Sequence, residues 1–187
     1  MALVFVSHSK YDVEIVEFFA DALRAAGLAG VLMEYEDTRR IYAGERIAQI
    51  IKDDGVTCLI VLLGKNVESS SGSPVHTRNW VNFEVGVAAG DRKAVWVFEE
   101  YGYNIRFPIP FVSDYCRYHL DDDRSLKHIG NVLTHKLAGG ISRAVTCGYY
   151  HARFFYWNND KIEQCPVCRN PTFRKRNKID LRLSNVV

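Results

Sequence analysis

Apolar runs and helical apolar stripes alternate along the first 140 residues of the chain. Residues 3–6 are apolar throughout, too short a run for a helix, and read as a buried strand. A polar loop of Ser7, His8 and Ser9 follows, with Ser9 or Asp12 placed to cap a helix. In that helix Ile15, Val16, Phe19, Leu23 and Ala26 recur at helical spacing. Glu14, Glu17, Asp21 and Arg24 hold the opposite side, and Gly27 ends it. Residues 30–33 read as a second strand, and the charged loop 34–44 leads into a helix with Ile47, Ile50 and Ile51 on one side. Residues 56–63 are apolar on both faces, as in the central strand of a parallel sheet. Residues 65–78, which contain SSSGSP, read as a loop that delivers the chain to a short helix over 79–90. A buried strand is expected at 93–98, and 107–112, with two prolines, suits only an edge strand. The last helix spans 121–137, with Leu126, Ile129, Val132, Leu133 and Leu137 inward and aspartates at its start.

Strand and helix in repeated alternation predict an open parallel sheet covered on both faces. Ligands of such sheets sit beyond the carboxyl ends of the strands. The Ser7–Ser9 loop, the 34–44 loop and the start of the 79–90 helix should converge there. Neither a G-x-G-x-x-G nor a G-x-x-x-x-G-K-[ST] motif is present, and no internal repeat is visible.

Composition narrows the class. A chain of 187 residues suits one domain with a small appendage. Its apolar run at 56–63 is far shorter than the ~20 residues of a membrane span, and the opening residues carry no basic leader. Five cysteines, three of them in the last quarter, do not form a disulfide framework, which favours a reducing, cytoplasmic setting. Charge divides the chain: from residue 144 onward eight Lys and Arg face three acids, a net of +5, which leaves −3 for the first 143 residues.

The helix at 79–90, NWVNFEVGVAAG, carries the candidate chemistry. Trp80, Phe83, Glu84, Val87 and Ala88 share one face at 3.6 residues per turn, so Glu84 lies within an apolar stripe. Taken alone, the helix suggests a Glu at the edge of the stripe, ion-paired with a neighbouring Arg or Lys.

Four stretches in order change that reading: VFVSHSKYD at 4–12, VLMEYEDTRRIYAGERIAQII at 31–51, CLIVLLGKNVES at 58–69 and RNWVNFEVGVA at 78–88. Together they resemble the Toll/interleukin-1 receptor (TIR) domain, over residues 2–139, although TRRIYAG at 38–44 lacks the proline often found in that loop. The resemblance implies a flavodoxin-like five-stranded parallel sheet over 1–140. It also implies an NAD-cleaving activity of the kind found in microbial, Thoeris-like anti-phage systems, with NAD as substrate. The product would be ADP-ribose or a cyclised or conjugated form, read by a downstream effector. Glu84 then matches the catalytic carboxylate. Ser7, His8 and Ser9 match the loop that lines the nucleotide site, and Trp80 could stack on a flat ring. Arg39, Arg40 and Arg46 could meet the pyrophosphate, or could be surface arginines paired with Glu36 and Asp37. Homo-oligomerisation through TIR–TIR contacts is implied as well. Nicotinamide leaves NAD neutral without needing a proton, so a single carboxylate against the developing positive charge is chemically sufficient.

Residues 144–187 have a motif of their own. Cys165-Pro-Val-Cys168 presents two thiolates from a tight turn, and Cys147 with His151 supplies two further donors. Four donors leave no open position, so the expected metal is a structural zinc in a small C-terminal ribbon. Cys58 and Cys116 read as core or surface thiols, and His119, His128 and His135 show no ligand spacing.

Three other readings stand beside the enzyme. One is a non-catalytic TIR adaptor. Another is nucleic-acid binding through the basic 174–178 segment, for which a solvated face is the simpler account. The third is a nucleoside deoxyribosyltransferase-like enzyme, which shares a similar sheet and a catalytic Glu.

Overall fold

The computed structural model describes residues 2–33, 43–67, 74–102 and 111–134, the side chains of 74–77 excepted, and the backbone strands at 143–146, 153–155 and 183–185. In chain order the main elements are β1 (Leu3–Ser7), α1 (Val13–Ala25), β2 (Ala29–Leu32), α2 (Ala43–Lys52), β3 (Val56–Leu63), α3 (Pro74–Gly90), β4 (Ala94–Glu100), β5 (Asp114–Tyr118) and α4 (Asp123–Val132). Strands β1 to β5 pair in parallel in the order β2-β1-β3-β4-β5, a flavodoxin-like arrangement. The chain turns outward in one direction from β1 to β2 and in the other from β3 onward, so the switch point lies between β1 and β3.

The strands are apolar on both faces because both faces are covered. Alternate residues of each strand feed two separate cores. Phe5, Leu59, Val61, Leu63, Val95 and Val97 meet Ile47 and Ile51 of α2 and Val81, Val85 and Ala88 of α3. Val4, Val6, Cys58, Ile60, Leu62, Trp96 and Phe98 meet Ile15, Phe19 and Leu23 of α1 and Ile129 and Val132 of α4. One helix pair therefore covers each face.

The ends of the elements follow local chemistry. Helix α1 closes in a Schellman-type turn: Gly27 adopts φ +73°, its N–H bonds the Arg24 carbonyl, and the Leu28 N–H reaches Leu23. Asp122 caps α4 by accepting from the Arg124 N–H at 2.9 Å. At the start of α1 neither expected cap forms. Asp12 occupies the cap position without a side-chain cap bond, because Asn66 takes up its carboxylate, and Ser9 Oγ accepts from the Tyr11 N–H instead.

Two expected elements shift. Helix α3 begins at Pro74 rather than Asn79, since proline fits a first helical turn, where its missing N–H has no partner to lose. The fifth strand of the described residues is DYCRY at Asp114–Tyr118, and of the edge strand expected at 107–112 only Phe111 and Val112 are described, neither of them in a strand. Residues 103–110 lie outside the described residues, and Phe111 beyond them is exposed while Val112 is buried.

Backbone strands of the C-terminal segment continue the sheet: β6 (Arg143–Thr146), β7 (Arg153–Phe155) and β8 (Leu183–Asn185). β7 pairs in parallel with β5, and β6 pairs antiparallel with both β7 and β8. Among the described residues no helix is long and apolar enough to cross a membrane.

Candidate active site

Glu84 lies at the middle of the inner face of α3. That face is made by Val81, Glu84, Val85 and Ala88, all buried. It is turned about one residue from the face expected from Trp80, Phe83 and Val87. Trp80 and Val87 are only partly buried and Phe83 is 38% exposed. The Trp80 and Phe83 rings meet edge to face at 5.7 Å between centroids, and Phe83 lies over Gly44 of α2. Trp80 thus packs between its own helix neighbour and the core.

The Glu84 side chain is 7% exposed, in apolar surroundings. Burial pushes its pKa up from the ordinary 4.5 to about 7, because removing water penalises the charged form. The hydroxyl of Ser7, the last residue of β1, opposes that shift. Ser7 Oγ is shut off from solvent and has no hydrogen-bond partner among the described residues. Ser7 lies two residues beyond Phe5 on the strand and therefore faces the same helices, α2 and α3. A poised carboxyl group thus sits at the carboxyl end of β1, beside the switch point where ligands of such sheets bind.

Ser7, His8 and Ser9 do not act as one unit. Strand alternation carries His8 to the other face, where its charge acts on Asp12 rather than Glu84. Its Nδ1 lies 3.1 Å from the Val6 carbonyl, which can only accept, so Nδ1 is the donor of that contact. Ser9 is buried in the turn before α1. Arg46 is exposed on α2. Arg39 and Arg40, together with Cys147, His151, Cys165 and Cys168, lie outside the described residues.

No protein-family model and no curated protein matches the chain.

The sequence suggested one inward acid, whereas the structure buries several. Glu99 of β4 lies 3.8 Å from Arg117 of β5, on the sheet face that α3 covers. Asp114 is buried at the start of β5. Asp12, 4% exposed, accepts from Asn66 Nδ2 at 2.6 Å and from the Asn66 N–H at 3.2 Å. Burial still pushes Asp12 up. Glu100 is also pushed up, by burial first and then by Asp12, and it borders a cavity of about 240 Å³ lined by Tyr101, His119, Leu120, Asp121 and Asp122. That second polar centre lies on the α1/α4 side. The alternation Val95, Val97, Glu99 in β4 was the sequence signal for the buried Glu99. Asp12 and Asn66 carried none, because their contact joins residues 54 apart in the chain.

Both described cysteines are buried core residues, and desolvation pushes the Cys58 thiol up to about 12, so it stays protonated.

Proposed function

We propose that this chain is a TIR-type enzyme that cleaves the bond between nicotinamide and ribose in NAD, with Glu84 as the catalytic carboxylate. The observation that carries the reading is Glu84 itself: a buried carboxyl group held near neutrality, at the carboxyl edge of β1. In the reaction the C1′–N bond breaks and nicotinamide leaves neutral with the bonding electron pair. The ionised Glu84 stabilises the positive charge that develops on the ribose. Water, or a hydroxyl of an acceptor, then adds at C1′ and releases a proton. The products are ADP-ribose, or a cyclised or conjugated form, which would serve as a signal in anti-phage defence. Assembly of several copies through TIR–TIR contacts belongs to the same reading.

Cys147, His151, Cys165 and Cys168 would hold a structural zinc. A closed set of two or more thiolates with an imidazole suits zinc and leaves no position for substrate.

The experiment is incubation of purified protein with NAD, following nicotinamide by chromatography and the remaining product by mass spectrometry. Wild type releases nicotinamide and Glu84→Gln does not, with both variants folded. Equal release by the two would remove Glu84 from the mechanism. No release by concentrated wild type, with binding to a TIR partner, would favour the adaptor.

A further inference from the structure

The carboxyl edge of the sheet holds a second concave site, where β4 and β5 end. Glu100, Tyr101, His119, Leu120, Asp121 and Asp122 line one cavity of about 240 Å³ there, and β3 stands between these strands and β1. Backbone bonds fix its walls. The Tyr101 N–H donates to the Tyr118 carbonyl at 2.6 Å, joining the two strand ends, and the His119 N–H donates to Ser125 Oγ at 2.8 Å, setting the turn into α4. The Tyr101 ring stands 4.2 Å from the His119 ring, with the Arg117 guanidinium 4.6 Å from its centroid. Arg117 is itself engaged by buried Glu99 at 3.8 Å.

Carboxylates and aromatic rings share the lining, and it contains no Lys or Arg. Asp122 is occupied as the cap of α4. Glu100 Oε2 is shut off from solvent without a hydrogen-bond partner among the described residues. The same is true of the hydroxyl of Tyr118, which is fully buried and pairs with Glu100 across the two strands. Register partners project to one face of a sheet, so both orphaned groups stand on the same side. Burial, Asp12 and Asp121 push Glu100 up, with Lys65 acting against them. This wall is short of positive charge and of hydrogen-bond donors.

The geometry narrows the kind of cation. Among the described residues no three His, Cys, Asp or Glu are set to hold a metal ion. The volume is also below the ~300–1,000 Å³ typical of drug-sized ligands. Rings beside carboxylates suit a short alkyl stem that ends in a charged donor group. We propose that this cavity binds a small organic cation, its guanidinium or ammonium head on Glu100 and Asp121 and its stem against Tyr101 and His119.

The test titrates agmatine into the full chain and follows backbone amide NMR signals. Saturable shifts should gather at Tyr101, His119 and Asp121, and NAD should not displace the amine. Glu100→Gln, which keeps the side chain's shape, should weaken binding about tenfold by removing a charge-assisted hydrogen bond. Tyr101→Ala should weaken it about fourfold through lost packing of the stem. Asp121→Asn changes an exposed side chain and should give a smaller loss with the fold intact. Equal binding of butylurea, a neutral analogue, would overturn the proposal, because the cavity would then read shape and not charge. Displacement of agmatine by magnesium or calcium would overturn it too, making this a metal site. So would shifts that never saturate, or that spread over the acidic surface and vanish at about 0.15 M salt, the mark of diffuse counter-ion attraction.

Discussion

Ser7 and His8 are adjacent at the end of β1 yet serve opposite faces of the sheet, Ser7 acting on Glu84 and His8 on Asp12. The cause is the two-residue period of a strand, which sends successive side chains to opposite sides. One dipeptide at the switch point therefore joins two polar centres. On the α2/α3 side Glu84 lies in apolar surroundings, and Glu99 on the same sheet face is paired with Arg117. The α1/α4 centre holds Asp12, Asn66, Glu100 and Lys65, of which Glu100 borders the cavity.

Asn66 should matter to stability well beyond its place in a short turn. Its side chain donates to Asp12 at 2.6 Å and to the Tyr11 carbonyl at 2.9 Å, tying the turn after β3 to the start of α1. Asn66→Ala leaves a buried carboxylate short of its side-chain donor, which costs about 1–3 kcal/mol. Urea unfolding at neutral pH measures it. A loss below half a kcal/mol would mean that water replaces the amide.

Gly64 is required by space. A Cβ there would stand 2.8 Å from the Asp12 carboxylate and closer still to Ile15 Cδ1. Gly64→Ala should cost about 1–3 kcal/mol by displacing α1 from β3. Thermal unfolding of the variant checks this, and an unchanged melting temperature would show that Ile15 moves aside freely.

If the four C-terminal donors hold zinc as proposed, purified protein should carry about one zinc per chain by elemental analysis. Cys168→Ser should lower that content. Chelation should then loosen residues 144–187 to protease, since binding energy of a structural zinc is folding energy. Protein purified without zinc and equally protease-resistant would count against the metal.

The five-stranded body was legible because its strands are apolar on both faces and its helices striped on one. Glu84 was legible for a more particular reason. The expected face of α3 was set one residue off, yet Glu84 belongs both to the expected set of Trp80, Phe83, Val87 and Ala88 and to the observed set of Val81, Val85 and Ala88. Phe83 belongs only to the first and is partly exposed. The fifth strand was obscured by its own polarity. Asp114 and Arg117 make DYCRY look like a loop, but Arg117 pairs with Glu99 across the sheet. The Asp12–Asn66 contact depends on tertiary structure that no local pattern encodes.

The pH dependence of stability offers the sharpest check on Glu84. Its carboxyl group is held above its ordinary range, so the folded protein binds that proton more tightly than the unfolded chain does. The stabilising contribution is fully present below about pH 4.5 and is lost as pH rises through about 7. A displacement of that size corresponds to roughly 3 kcal/mol when complete. Glu84→Gln keeps the shape and removes the titration. Wild type and variant should therefore differ little near pH 5, whereas by pH 8 the variant should be the more stable by up to about 3 kcal/mol. Urea unfolding of both proteins at the two pH values measures the gap. A gap that stays constant would mean that water reaches the carboxylate and that Glu84 ionises as an ordinary surface acid. Widening of the gap, with nicotinamide release confined to wild type, would mean that the chain gives up stability at neutral pH to keep an ionisable carboxyl group inside its core.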